Sequence, residues 1–150
     1  MTYRRHTIVP PYLLQRLADS DVPGVADVAQ QTLLADRSLR GGRGAKPSAP
    51  GYVRSVVSVG EAAPRREIST ANNTETLPGT VVRREGDAAT GDLAADEAYD
   101  GFGATWELFH DAYARDSIDG AGMLLPGTVH YGRSYDNAFW DGERMVFGDG

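Results

Sequence analysis

The chain has 150 residues, 41% of them hydrophobic, with 18 glycines, 8 prolines and no cysteine. That length suits one domain, or a small domain with part of another, and the lack of cysteine excludes disulfides, thiolate metal sites and a cysteine nucleophile. A net charge of −6 argues against nucleic acid as a partner, and no run approaches the roughly 20 apolar residues of a membrane span. Charge is unevenly placed: residues 1–50 hold seven basic and four acidic side chains, residues 51–150 eight and seventeen. A mildly basic head on an acidic body suggests two units that attract each other, with a boundary near residues 40–52.

Arg4-Arg5 is followed by residues 7–14, which fall short of the about 7–15 consecutive apolar residues of a secretory signal. In the segment HTIVPPYLL, the paired prolines suit the first turn of a helix, where a missing N–H is no loss. Leu13, Leu14 and Leu17 then line one face until Asp19-Ser20-Asp21. A second helix begins after Asp21, with Pro23 in its first turn and Val25, Val28, Ala29, Thr32 and Leu33 at helical spacing up to about Ser38. One narrow stripe cannot sustain a domain, so both helices need something to pack on. Residues 40–51, RGGRGAKPSAPG, read as a linker and as the most protease-accessible stretch.

A β-rich opening follows. Tyr52–Val59 and Arg66–Thr70 read as strands, Ala71–Thr76 as a polar turn, and Leu77-Pro78-Gly79 precedes a strand at Thr80–Arg83. The strongest helix runs from about Asp92 to Asp116: Ala95, Tyr99, Phe102, Trp106, Phe109 and Tyr113 recur every three or four residues and make one aromatic stripe. Asp92 suits the N-cap, and Asp96 and Glu97 suit the positive end of the helix dipole. Gly101 and Gly103 each cost roughly 1 kcal/mol relative to Ala, which suggests close packing against another backbone. Asp119-Gly120 turns the chain into Met123–Leu125 and Thr128–Tyr131. A hairpin then joins Asn137–Trp140 to Glu143–Gly148 through Asp141-Gly142, a pair that favours a two-residue turn with both residues at positive φ. Met145 and Phe147 fall on one face of its second strand, Arg144 and Val146 on the other.

Candidate chemistry is sparse. The three histidines, His6, His110 and His130, form no local metal pair. His110 reads as an exposed residue beside Asp111, and His130 as a structural residue within a strand. There is no G-x-S-x-G elbow and no glycine-rich phosphate loop. Asp92, Asp96, Glu97 and Asp100 read as a solvated helix face, with a calcium ion as the alternative occupant. No catalytic site is assembled.

The stretch TVHYGRSYDNAFWDGERMVFGDG (Thr128–Gly150) closely resembles the N-terminal domain of thermolysin-like neutral metalloproteases, which carry an HY…YxNAFWxGxxMVxGDG pattern. Leu77–Phe109 resembles the central stretch and long helix of the same domain, and HTIVPPYLL resembles the short propeptide of the protealysin-like branch. The resemblance implies an α+β chain: a short helical propeptide at 1–40, a linker at 41–51, and at 52–150 an incomplete β-rich N-terminal domain with one long aromatic-striped helix. It also implies that the Asn137 side chain and Ala138 carbonyl hold a peptide substrate, with Phe139 and Trp140 shaping the subsites. A strand edge suits that role, because it offers main-chain donors and acceptors to an extended peptide. Taken without the family, Phe139 and Trp140 read as hairpin core.

In that family the zinc ligands and the general base lie on a downstream H-E-x-x-H helix with a further glutamate, none of which is in this sequence. The chain is therefore expected to be an inactive fragment, without catalytic or metal-binding residues of its own. The implied parent is a secreted zinc metalloendopeptidase, made as a zymogen without a recognisable signal peptide, that cleaves proteins before bulky hydrophobic residues; the cytoplasm is the alternative location. Its implied partners are a peptide or protein substrate and its own C-terminal lobe, with neither nucleic acid nor a membrane. Some relatives place a cysteine near the Pro-Pro-Tyr segment; here none exists, which excludes cysteine inhibition of zinc. Pro10, Pro11, Tyr12 and Leu13 are expected to block the cleft sterically instead, with Tyr12 and Leu13 near the NAFW edge. The alternative reading is a truncated, non-catalytic relative that acts as a peptide- or protease-binding module.

Overall fold

The computed structural model describes residues 6–41 and 62–150. The linker beyond Gly41 and the expected strand at Tyr52–Val59 lie outside the described residues. Among the described residues nine elements follow in chain order: β1 (His6–Thr7), α1 (Pro11–Ala18), α2 (Val25–Gly41), β2 (Arg66–Thr74), β3 (Thr80–Arg84), α3 (Leu93–Tyr113), β4 (Leu125–Tyr131), β5 (Ala138–Trp140) and β6 (Met145–Phe147). The strands form one mixed six-stranded sheet in the order β1-β5-β6-β4-β2-β3. β4 runs parallel to both β2 and β6, whereas the β2–β3, β5–β6 and β1–β5 pairs are antiparallel. This is the expected α+β class, with the first strand supplied by the head.

The two faces of the sheet bury different clusters. On one, Ala95 and Tyr99 of α3 pack with Ile68 and Val129, joined by Phe102 and Phe147. On the other, Tyr131, Tyr135, Phe139, Val146 and Ala71 form a second core, against which Ala35 and Leu39 of α2 pack. Alternation along β6 serves both: Val146 is fully buried on the second face, and Phe147 is half-buried on the first. The need of the head helices for a neighbour is met by each other and by this second core. Within α1 the buried residue is Leu14, at 1% exposure, while Leu13 and Leu17 of the expected stripe stay exposed.

α3 begins where the sequence places it. Asp92 Oδ1 accepts from the Ala94 and Ala95 amides at 3.0 and 3.4 Å, which satisfies two of the donors a helix start leaves open. Of its stripe, Ala95, Tyr99 and Trp106 are buried and Phe102 and Phe109 half-buried, but Tyr113 is 63% exposed, so the continuous core face of the sequence reading ends early. The glycines also differ from expectation. Gly103 leaves room for the Arg66 guanidinium rather than for a backbone, and Gly101 faces open space. Arg66 and Arg83 both lie 3.7 Å from the Tyr99 ring centroid, one cation on each contact, and the Tyr99 hydroxyl donates to Glu85 at 3.1 Å.

Two turns differ as well. The polar stretch expected as a turn after Thr70 continues β2 as far as Thr74, with an irregular register and left-handed Asn72 and Asn73. Asparagine tolerates that conformation better than most side chains. In the hairpin, Trp140 pairs with Met145, leaving a four-residue loop, and only Gly142 has positive φ. Asp141 accounts for the difference, because its carboxylate accepts from the Glu143 and Arg144 amides at 2.7 and 2.8 Å. That side-chain closure replaces the two-residue turn.

Candidate functional site

The functional surface is built around the short strand β5. Its inner side is paired to β6, with Phe139 opposite Val146 and Ala138 opposite Phe147. Phe139 is fully buried beneath it, with its ring edge-on to Tyr131 at 5.4 Å and Tyr135 at 6.2 Å. Ala138 and Trp140 flank Phe139 and are half-buried. Strand, core and hairpin thus position the outer side of β5, whose main-chain groups point away from β6.

That outer side is occupied by the head. His6 pairs antiparallel with Trp140 and Thr7 with Phe139. The Ile8 amide donates to the Ala138 carbonyl at 2.8 Å. Asn137 then clamps the next residue from both sides: its Oδ1 accepts from the Val9 amide at 2.8 Å, and its Nδ2 donates to the Val9 carbonyl at 3.0 Å. Asn137 Oδ1 also accepts from the Ala138 amide at 2.8 Å, which fixes the side chain in the posture that meets Val9. Asn137 and Ala138 thus bond Val9 and Ile8, beside the pairing of Phe139 and Trp140 with Thr7 and His6.

The expected blocking residues are placed differently. The segment on the edge is His6–Val9, upstream of Tyr12 and Leu13, which are 62% and 39% exposed. Pro10 and Pro11 explain the position. A proline holds the residue before it in an extended conformation and brings no N–H for further pairing. Pro11 then opens α1, whose first turn closes on the Pro10 carbonyl through the Leu13 amide at 3.0 Å. The paired prolines end the strand after Val9 and turn the chain away.

The residues just before β5 meet the head a second time. Thr32 Oγ1 of α2 accepts from the Asp136 amide at 3.0 Å and donates to the Ser134 carbonyl at 3.5 Å. The Tyr135 hydroxyl donates to Asp36 Oδ1 at 2.9 Å, in a fully buried contact. Sequence reasoning missed this anchor. Its signal was Asp36, four residues after Thr32 on the apolar stripe of the second helix, where an unpartnered carboxylate would be costly.

A third cluster lies where β4, α3 and the end of the chain meet. His130, with φ +55°, holds Asp92 Oδ2 through Nε2 and Asp149 Oδ1 through Nδ1, both at 2.7 Å. Asp149 also accepts from Asn73 Nδ2 at 2.8 Å. Burial alone would lower the His130 pKa, but the hydrogen bonds to Asp149 and Asp92, with their charges, outweigh it and raise the value above the ordinary 6.5. The His130 hydrogen bond, against some burial and with help from the Ala95 and Ala94 amides, holds Asp92 below the ordinary 3.8. His130 is thus the structural histidine expected from sequence. His110 is exposed and sits 3.0 Å from Asp111 as read, with its ring stacked on Trp106 at 4.7 Å.

These residues do not fit a zinc ion. Both nitrogens of His130 are spent on carboxylates, and among the described residues no group of three or more His, Asp or Glu is arranged to hold a metal. The acidic run at the start of α3 is engaged as well. Asp96 accepts from the Thr90 and Gly91 amides at 3.0 Å and pairs with Arg83 at 2.9 Å.

Comparison with known proteins gives this arrangement its context. Residues 57–150 match the family described as thermolysin metallopeptidase, catalytic domain. This chain belongs to the thermolysin metallopeptidase family. The thermolysin-type chain is 40% identical over 144 residues to an extracellular metalloprotease of Pectobacterium carotovorum subsp. carotovorum, covering 96% of this chain and 40% of that protein. It is 38% identical over 143 residues to protease PrtS of Photorhabdus sp. (strain Az29), covering 95% of this chain and 38% of that protein. Among solved structures it is similar to the precursor of protealysin, a metalloproteinase from Serratia proteamaculans, with a TM-score of 0.74 and 38% identity over 97% of this chain and 39% of that one. The match to that precursor includes the head, as the Pro-Pro-Tyr segment implied. The thermolysin-type chain spans about two fifths of the length of these relatives.

Proposed function

We propose that this chain is the propeptide and substrate-cleft edge of a thermolysin-like zinc metalloendopeptidase, held closed by its own head. The observation that carries the reading is the pairing of His6–Val9 with β5. Ile8 and Val9 take the Ala138 carbonyl and both polar atoms of Asn137, the groups an extended substrate would use. In this reading 1–40 is the propeptide, 41–51 the linker and 52–150 part of the enzyme. Pro10 and Pro11 set which residues reach the edge, and Tyr12 and Leu13 follow them into α1. Ala138 and Trp140 border the bound peptide, and Phe139 supports them from below.

The parent would hydrolyse proteins, using zinc to activate the attacking water, on ligands this sequence does not contain. This chain by itself is inactive. A calcium ion in such a parent would need carboxylates other than Asp92 and Asp96, whose oxygens are engaged. A groove of about 540 Å³, lined in part by Gly101, Phe102, Thr105, Met145 and Phe147, supports docking of the parent's C-terminal lobe against α3. The secreted location follows the extracellular relative. Among the described residues no helix is long and apolar enough to cross a membrane.

The test is proteolysis of the complete parent within residues 42–51. Peptidase activity should rise as the head is released, and unchanged activity would sink the reading. For this chain, peptide hydrolysis after addition of zinc would refute the claim of inactivity. The second reading, a non-catalytic binding module, is favoured by one observation: the peptide-holding groups Asn137 and Ala138 are complete within these residues.

A further inference from the structure

The run Ser134–Asn137 reads the head at two places 23 residues apart, Val9 and Thr32. We propose that these are two separable attachments, and that the α2 attachment is a docking site that stays closed when a peptide takes the β5 edge. The proposal rests on the reading of β5 as a peptide-binding edge.

The two attachments differ in chemistry. On the edge, the head contributes main-chain groups of Ile8 and Val9, and the Ile8 side chain is 66% exposed. Any extended peptide can offer the same donors and acceptors, so this attachment is open to competition. At α2, the head contributes side chains. Thr32 and Asp36 are 0% and 2% exposed, and they meet the Asp136 amide, the Ser134 carbonyl and the Tyr135 hydroxyl. Ala35 and Leu39 of the same helix pack on the core that contains Phe139. A peptide on the edge reproduces none of these contacts and has no steric reason to disturb them.

The chain between the two attachments allows them to part. β1 is two residues long and is followed by Ile8 and Val9, after which Pro10 ends the pairing and Pro11 opens α1. Lifting His6–Val9 breaks the hydrogen bonds described at the edge and leaves those described between Thr32 or Asp36 and the Ser134–Asp136 run. A short strand with an exposed flank is the kind of segment that opens locally. While α2 stays docked, the lifted strand remains beside the edge at an effective concentration in the millimolar range. The head then acts as a resident competitor that substrate displaces and that returns when substrate leaves.

The experiment uses the whole chain and a blocked pentapeptide of sequence Ala-Leu-Val-Leu-Ala, with amide resonances read during titration. The expected result is a shift of the β5 amides and loss of hydrogen-exchange protection at Ile8, with protection at Asp136 unchanged. Parallel loss at Ile8 and Asp136 would show a single cooperative unit and overturn the proposal. No shift at β5 would instead overturn the reading of the edge, and the inference with it. A second arm weakens the docking site with Thr32→Val and Tyr135→Phe together. Once α2 is loose, the competitor is tethered through tens of residues, and its effective concentration falls steeply with tether length. The peptide should then bind roughly tenfold more tightly. Equal affinity would count against a separate anchor. Thr32→Val alone, with a smaller gain in the same direction, serves if the double variant does not fold.

Discussion

Replacing Asn137 with Ala should loosen the head on the edge without loosening it at α2. The side chain makes two hydrogen bonds to the head, at 2.8 Å to the Val9 amide and 3.0 Å to the Val9 carbonyl, and is only 8% exposed. A neutral hydrogen bond of this kind contributes a net of about 0.5–1.5 kcal/mol, so the pair is worth about 1–3 kcal/mol, or roughly 5- to 150-fold in the opening equilibrium. Hydrogen exchange at the Ile8 amide, bonded to Ala138, reports that opening directly, and the Asp136 amide, bonded to Thr32, serves as the internal control. The variant should accelerate exchange at Ile8 by that factor and leave Asp136 within about twofold. Asn137→Asp is a useful companion, because it keeps an acceptor for Val9 N–H but turns an acceptor toward the Val9 carbonyl. It too should open the edge. Unaltered exchange at Ile8 in Asn137→Ala would refute the reasoning that Asn137 is the clamp.

Phe139→Ala removes a fully buried ring from between Tyr131 and Tyr135, and urea unfolding should report a loss of about 3–5 kcal/mol; a loss under about 1 kcal/mol would mean the edge is not supported from this core. Gly101→Ala adds a methyl where nothing lies within 4 Å, so this chain should gain up to about 1 kcal/mol by the same measurement, whereas destabilisation would indicate an unseen close contact. His130 bears on pH. Its folded pKa is raised, so its contribution is fully present below the ordinary 6.5 and is lost as pH rises through the higher folded value. The stability gap between the chain and His130→Asn should therefore shrink towards alkaline pH, and a gap that widened would reverse the assignment. Asp92, with a lowered value, adds the opposite limb: its contribution is present above the ordinary 3.8 and lost as pH falls through the folded value.

The parts legible in the sequence were those governed by local rules. The Asp92 cap, the proline start of α1 and the alternation around Val146 each follow from neighbours within a few residues, and each is found in the structure. The NAFW stretch was legible through its family pattern, and the structure sets its first two residues against an extended segment. The parts that were not legible depend on meetings across the chain. Which head residues face the edge is decided by where Pro10 stops the pairing, and the sequence pointed instead to the bulkier Tyr12 and Leu13. Tyr135 and Asp36 are 99 residues apart, so only the fold shows that one caps the other. The same holds for His130, whose two carboxylates come from the start of α3 and from the segment after β6. The Asp141 loop failed for a different reason: a side chain supplied the closure that the sequence reading gave to backbone conformation.

The strand order has a consequence for solubility. A sheet presents unpaired main-chain groups at its borders, and proteins guard them to avoid sticking to their own copies. Here the β3 border carries Arg83 and Arg84, each tied to an acidic neighbour. The β5 border has no such charges along Ala138–Trp140 and is covered by the head. Taking the head away would therefore free a binding surface and an adhesive border in one step, and which of the two is seen depends on whether a peptide arrives before a second chain does.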